Sequence, residues 1–238
     1  MAHASQAAPD EPRPRRTQEE RSAETRTRLL EATIESLIEV GYASTTTTGV
    51  CERAGVSRGA QVHHFPRKQD LVVAAVAHLA AKHVPVLRER AAALPPEASA
   101  DPREPFELDR LGAVIDLVAE TFAGPLFTAA LELWVAARTD AELHRALIPF
   151  ERGAGRGLVQ LWREIAGDLA AHPRFDAVLE LSLHLARGMA LQKILRDDDG
   201  ARRRALAMWR EVAEQALRSS ARGEPKASAA HRAGALRD

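Results

Sequence analysis

Few residues of this 238-residue chain have types and spacings that do chemistry. Its single cysteine, Cys51, permits neither an internal disulfide nor a zinc cluster built on cysteines. His144, His172 and His184 fall outside any HExxH or Cys/His spacing, so no metal is expected. Gly153, Gly155 and Gly157 are spaced like a phosphate cradle. They lie within a helical pattern and follow no strand, so a bent helix, which can shape a ligand cavity, is the plainer reading. No serine, histidine and aspartate carry the local signature of a triad, although triads are assembled from distant residues. The sequence nominates no catalytic residue and no cofactor. Its informative chemistry is cationic. Between Gly41 and Lys68 the chain carries Arg53, Arg58, Arg67 and Lys68 against Glu52 alone, a local charge of +3 with His63 and His64 not counted. Over the whole chain 33 Lys+Arg balance 33 Asp+Glu, which conceals that patch. A concentrated basic surface is what contact with nucleic-acid phosphates requires.

Something must hold those side chains in place. Aromatics make up only 4% of the chain and alanine is abundant, which favours helix over strand. Apolar residues recur at spacings of three and four, with no period-2 run and no internal repeat. The length suggests one or two domains. The first helix is expected over about 22–40, with Leu30, Ile34, Leu37 and Ile38 as its buried stripe and Gly41 as its stop. A short second helix is expected over 47–54. Gly55 ends it, Val56 plugs a small core, and Ser57 caps a third helix reaching about His64. Two short helices joined by Ala54-Gly55-Val56-Ser57 behind an amphipathic first helix describe a helix-turn-helix. Pro66 precedes a fourth helix from near Arg67, with a kink expected at Pro85. A loop holding Pro95, Pro96, Pro102 and Pro105 follows. Helices are then expected over 106–122, 125–138, 140–166 (kinked or split near Pro149), 174–195 and 201–218. The expected fold is all-α, with about nine helices.

The run GYASTTTTGVCERAGVSRGAQVHHFPRKQDLV, Gly41 to Val72, resembles the N-terminal domain of the TetR family of bacterial transcriptional regulators. The resemblance rests on Ala54-Gly55-Val56-Ser57-Arg58-Gly59-Ala60, on His64-Phe65-Pro66-Arg67-Lys68, and on Leu71. It implies double-stranded DNA as partner, read as a palindromic operator by a homodimer, and a small-molecule effector. The expected DNA-facing set is Thr46, Thr47, Thr48, Ser57, Arg58, Gly59, Ala60, Val62, His63, His64 and Lys68. In that set the threonines meet phosphates at the start of the second helix. Arg58 suits a bidentate contact with guanine, Gly59 lets the backbone approach, and Ala60 and Val62 suit a thymine methyl. His63, His64 and Lys68 match phosphate-contacting positions. Lys68 is poorly placed for the dipole of the fourth helix, which argues for a phosphate partner over a structural reason. The chain departs from the family's pattern at Val62, commonly aromatic, and at Gln61, commonly aliphatic. Gln61 either loosens the small core or faces DNA. Gly49 inside the second helix has no account from sequence. Cys51 reads as core packing before it reads as a redox switch.

The C-terminal part is expected to hold an apolar effector cavity. Eight of the ten aromatics lie beyond residue 100. The lining candidates are Phe122, Phe127, Trp134, His144, Trp162, His184 and Met189. Residues 181–195 are apolar on more than one face and the helix at 201–218 carries an apolar stripe, which points to a four-helix interface of the helices at 174–195 and 201–218 with a second copy. Its candidates are Leu183, Ala186, Ile194, Leu206, Trp209, Val212 and Ala213. The expected domain order is a disordered tail over 1–20, the DNA-binding domain over 21–68, the ligand-binding and dimerisation domain over 69–219, and a second tail over 220–238. Arg13, Arg15 and Arg16 belong to the first tail, as a solvated segment or as a minor-groove arm. The N-terminus lacks the apolar run of a secretory signal, and no segment is long and apolar enough to span a bilayer, so a cytoplasmic protein without a membrane partner is expected. The competing readings are a helical enzyme and a dimeric helical scaffold that does not bind DNA.

Overall fold

The computed structural model describes residues 17–94, 108–196 and 198–219. These form nine α-helices, one 3-10 turn and no strand among the described residues. The chain divides into two compact units, with the boundary between Ala75 and Val76. The tail arginines, the four-proline loop and the segment from Ser220 lie outside the described residues.

In the first unit, α1 spans Gln18–Ser44. It starts four residues earlier than the apolar stripe implies. The Thr17 hydroxyl accepts from the Glu20 amide and the Glu20 carboxylate accepts from the Thr17 amide, a reciprocal cap. Residues 17–20, expected in the tail, therefore begin the helix. Its buried stripe is Leu29, Leu30, Ile34 and Leu37, while Ile38 turns out to solvent. Gly41, at φ 74°, breaks the helical path as expected. Helix α2 spans Thr47–Ala54 and α3 spans Arg58–His64. Gly55 closes α2 in the left-handed conformation, φ 61° and ψ 42°. The turn is further pinned by Arg28 of α1, whose guanidinium donates to the carbonyls of Ala54 and Gly55. A Cβ on residue 55 would stand 2.8 Å from that guanidinium. Helices α1, α2 and α3 pack on one another over Leu29, Leu30, Leu37, Val50, Cys51, Ala54 and Phe65.

Helix α4 spans Lys68–Ala92, so the unit boundary falls inside it. It stays helical through Pro85. By length and composition it is apolar enough to cross a bilayer, although Lys82 interrupts its apolar run. Leu71, Val72, Ala75, Val76 and Leu87 are buried in the protein itself.

The second unit holds α5 (Leu108–Thr121), α6 (Pro125–Ala137), α7 (Ala141–Ala166), the 3-10 turn Gly167–Ala171, α8 (Phe175–Lys193) and α9 (Asp199–Ser219). Asp140 caps α7 by accepting from the amides of Glu142 and Leu143. Helix α7 runs unsplit through Pro149 and its three glycines. Helix α5 packs against α7, α8 and α9. Leu111, Val114, Ile115, Val118, Trp162, Ile165, Phe175 and Leu217 fill the space between them. Buried Arg110 reaches the far end of α7 and donates to the carbonyls of Ile165 and Ala166, supplying partners that the last turn of a helix lacks.

Candidate nucleic-acid interface and cavity

The start of α2 and the start of α3 meet through one side chain. Arg58 Nη1 donates to the hydroxyls of Thr47 at 3.1 Å and Thr48 at 3.3 Å. The structure thus joins three of the expected DNA-facing residues into one cluster. Thr46 caps α2 by accepting from the Gly49 amide at 3.0 Å, and Ser57 caps α3 by accepting from the Ala60 amide at 3.2 Å. Gly49 now has a reason. A Cβ there would sit 3.2 Å from the capping hydroxyl of Thr46, tight enough to disturb the cap. Gly59 is different: a Cβ there would meet nothing within 4 Å. Nothing inside the chain requires glycine at that exposed position. Val62 is 45% exposed and His63 is exposed beside it. His64 is half-buried, with its ring edge-on to His63. Burial, then the neighbouring His63 and Arg26, push its pKa down, so it favours the neutral form and contributes little positive charge.

The simple charge count over 41–68 needs correction. Arg53 is held by Glu35 and Glu39 of α1, and the same hydrogen bond keeps the Glu39 carboxyl below its ordinary range. Arg67 makes a two-pronged pair with Asp70 at 2.9 and 2.7 Å. All three acids lie outside the counted segment. Lys68 has the structural reason that the dipole argument denied it. Its Nζ donates to the Tyr42 carbonyl at 2.7 Å and stands 3.9 Å from the centre of the Tyr42 ring. Gln61 is only 1% exposed, which resolves its two readings. Its amide donates to the Phe65 carbonyl, and its Oε1 is buried without a partner. It belongs to the small core and does not face outward. Cys51 is buried too, and desolvation raises its thiol pKa, the behaviour of packing and not of a reactive thiolate. Sequence reasoning missed Arg28 and Tyr42, because no local spacing says which α1 side chain reaches a turn 26 residues away.

The second unit contains a cavity of about 470 Å³. Phe122, Phe127 and Trp134 line it as expected, joined by Leu87, Leu126, Phe150 and Leu161. Phe127 meets Phe122 and Trp134 edge to face, at 5.6 and 6.2 Å. The other four candidates do not line it. Trp162 is fully buried in the core, Met189 borders a separate cleft at the α8–α9 junction, His144 is exposed, and exposed His184 lies near Glu180. An aromatic or histidine count cannot say which face of its helix a residue occupies. Gly155 and Gly157 line the cavity from within the continuous helix α7 and form no loop. Polar lining comes from His83, Arg88, Thr121, Glu151, Gln160, Glu164 and Arg187.

The interface candidates also divide. Leu183, Ala186, Leu206 and Ala213 are buried within this chain's own core. Trp209 is part-buried and donates to the Ser182 hydroxyl at 2.8 Å. Ile194 and Val212 are exposed, together with Leu181, Leu191 and Met208, which were not expected. Helix α8 is apolar on two faces, with Leu183 and Ala186 buried in the core and Leu181 and Leu191 exposed.

Residues 29–75 match the family described as bacterial regulatory proteins, tetR family. The HTH-type transcriptional regulator CymR of Pseudomonas putida is 34% identical over 77% of this chain and 86% of its own length. The chain belongs to the tetR family. An uncharacterised HTH-type transcriptional regulator of Mycobacterium tuberculosis is also 34% identical, over 56% of this chain, and the match spans 63% of that relative's length. Among solved structures, a transcriptional regulator from Pseudomonas aeruginosa PAO1 has a TM-score of 0.57 at 26% identity, covering 87% of this chain and 94% of its own. A TetR transcription regulator from Haloarcula marismortui shares the fold, with a TM-score of 0.56 at 19% identity, covering 83% of this chain and 98% of its own. This tetR-family chain thus has the all-α fold with an N-terminal helix-turn-helix that its sequence implied.

Proposed function

We propose that this chain is a DNA-binding transcriptional regulator, a homodimeric repressor that binds a palindromic operator and is released by a small molecule. One observation carries the DNA contact. Arg58 is held over the start of α2 by Thr47 and Thr48, and the next residue, Gly59, opens onto empty space. A guanidinium fixed at the positive end of a helix, with no carboxylate beside it in that cluster, attracts an anion. An unobstructed backbone at 59 lets a groove edge come close. Thr46, Thr47, Thr48, Ser57, Lys68 and the exposed His63 then position the phosphates. Arg58, Gly59, Ala60 and Val62 face the bases.

Dimerisation is supported by the exposed Leu181, Leu191, Ile194, Met208 and Val212 of α8, α9 and their junction, an apolar set that one copy leaves in water. Effector release is supported by the cavity, whose volume and mostly apolar lining suit a small ligand. The ligand acts only through its preference for one of two states. The test is selection of bound duplexes from a random pool with the full-length protein, then salt titration of the winner. A palindromic consensus, a Kd that weakens steeply with salt, and a collapse on Arg58→Ala with unchanged circular dichroism are expected. Failure to retain any duplex at low salt overturns the reading. Light scattering that shows only monomer removes the homodimer.

A further inference from the structure

We propose that the cavity of the second unit takes a small aromatic acid whose carboxylate is held by Arg187. This deepens the effector reading of that cavity and can be tested without DNA.

Three of the four charged side chains on the wall already have a hydrogen-bond partner. Arg88 pairs with Glu164 at 3.0 Å. Glu151 accepts from the Trp134 indole N–H at 2.7 Å. Arg187 is answered by no carboxylate among the described residues. Its guanidinium lies 5.4 Å from the centre of the Phe122 ring, and its Nε is buried without a hydrogen-bond partner. A guanidinium does not shed its proton, so this donor cannot be silenced by titration. A buried donor with no acceptor is costly and is an expected feature of a site that awaits one. The matching acceptor for a planar guanidinium is a carboxylate. The second orphan on the wall is His83, whose Nε2 is buried and unpartnered. Burial and then Arg90 push its pKa down, so it is a neutral group there and does not compete with Arg187 for the anion.

The body of the ligand follows from the rest of the wall. Phe122, Phe127 and Trp134 form a row of edge-to-face rings, which another ring extends at little cost. The volume is about 470 Å³. That is roughly three times the ~150 Å³ in which an apolar protein cavity accommodates one benzene. A fused bicyclic acid fits that space with its charge at Arg187.

The probe is 2-naphthoate, compared with 2-naphthamide and 2-(aminomethyl)naphthalene, on the full-length protein. Calorimetry gives the affinities, and quenching of Trp134, the one tryptophan on the cavity wall, locates the site. The acid is expected to bind with a Kd below about 1 mM and at least about tenfold tighter than the amide. Arg187→Gln is expected to erase that ratio while the amide's Kd changes less than about twofold; Arg187→Lys, which keeps the charge, retains part of it. Thermal melts of both variants check folding. The proposal is overturned if the acid and amide bind equally, if the ratio survives Arg187→Gln, if the amine binds best, or if the acid does not bind. A second arm reads release of the selected duplex. Release by the amide as well as by the acid leaves the effector reading standing and ends the acid proposal. Arg187-dependent binding of the acid with no release does the opposite.

Discussion

Lys68→Met separates two roles that one side chain combines. Methionine keeps an unbranched stem and removes the ammonium. The ammonium stands 3.9 Å from the Tyr42 ring centre and is half-buried, so the cation–π contact contributes about 1 kcal/mol. The 2.7 Å hydrogen bond to the Tyr42 carbonyl is charge-assisted, and at this partly exposed site it contributes about 1.5 kcal/mol. The two share one donor group and do not add fully, so the loss is about 2 kcal/mol. That loss falls on the first unit, because Tyr42 and Lys68 both belong to it. Hydrogen exchange read by mass spectrometry resolves the units. Peptides within 29–75 are expected to lose protection by about thirtyfold, the equivalent of 2 kcal/mol, while peptides within 108–219 stay unchanged. Protection in 29–75 that changes by less than about twofold would show that the ammonium is solvated and that its contacts are worth nothing. DNA binding supplies the second half. The slope of log K against log salt is expected to fall by about one unit if the same ammonium also neutralises a phosphate. An unchanged slope with lost protection would make Lys68 a purely structural residue.

Three further outcomes follow from the same cluster. Gly59→Ala meets no atom within 4 Å and replaces a helical glycine, so stability is expected to hold or rise by up to ~1 kcal/mol in chemical denaturation. DNA affinity should drop in the same variant, and an alanine that binds the selected duplex normally would remove the close approach assigned to residue 59. Glu35→Gln with Glu39→Gln releases Arg53 from both of its carboxylates, and should tighten non-specific duplex binding and steepen its salt slope. A slope no steeper than that of the parent would show that Arg53 lies away from DNA. His64 titrates below its ordinary 6.5 in the fold, so between that value and its folded pKa the unfolded chain binds more protons. Stability of the first unit is then fullest above pH 6.5 and falls as pH drops through that window; His64→Gln should flatten that part of a denaturation-against-pH curve.

Local signals carried much of the fold. Gly41 and Gly55 punctuate helices at positive φ, as a residue without Cβ does most readily. Thr46 and Ser57 cap α2 and α3 because a short hydroxyl side chain can reach back to the amide of the first turn. The capping box that starts α1 was equally local, a threonine followed three residues later by a glutamate. It is legible in Thr17 and Glu20, ahead of the point where the apolar stripe begins.

Within this chain, the residue sequence by itself determined the helices, their caps and the turn that sets α2 against α3. Those depend on neighbours three or four positions away. Tertiary packing alone decided which cations remain available. Arg53 and Arg67 are absorbed by Glu35, Glu39 and Asp70, and Lys68 is drawn to Tyr42, while Arg58 is held at the start of α2. Tertiary packing also chose the inward face of α8, and left the Arg187 Nε without an acceptor among the described residues, beside the Phe122 ring. The physical reason is range. A cap is satisfied within one turn, whereas a charge is answered by whatever the fold brings beside it, and that partner can lie anywhere along the chain.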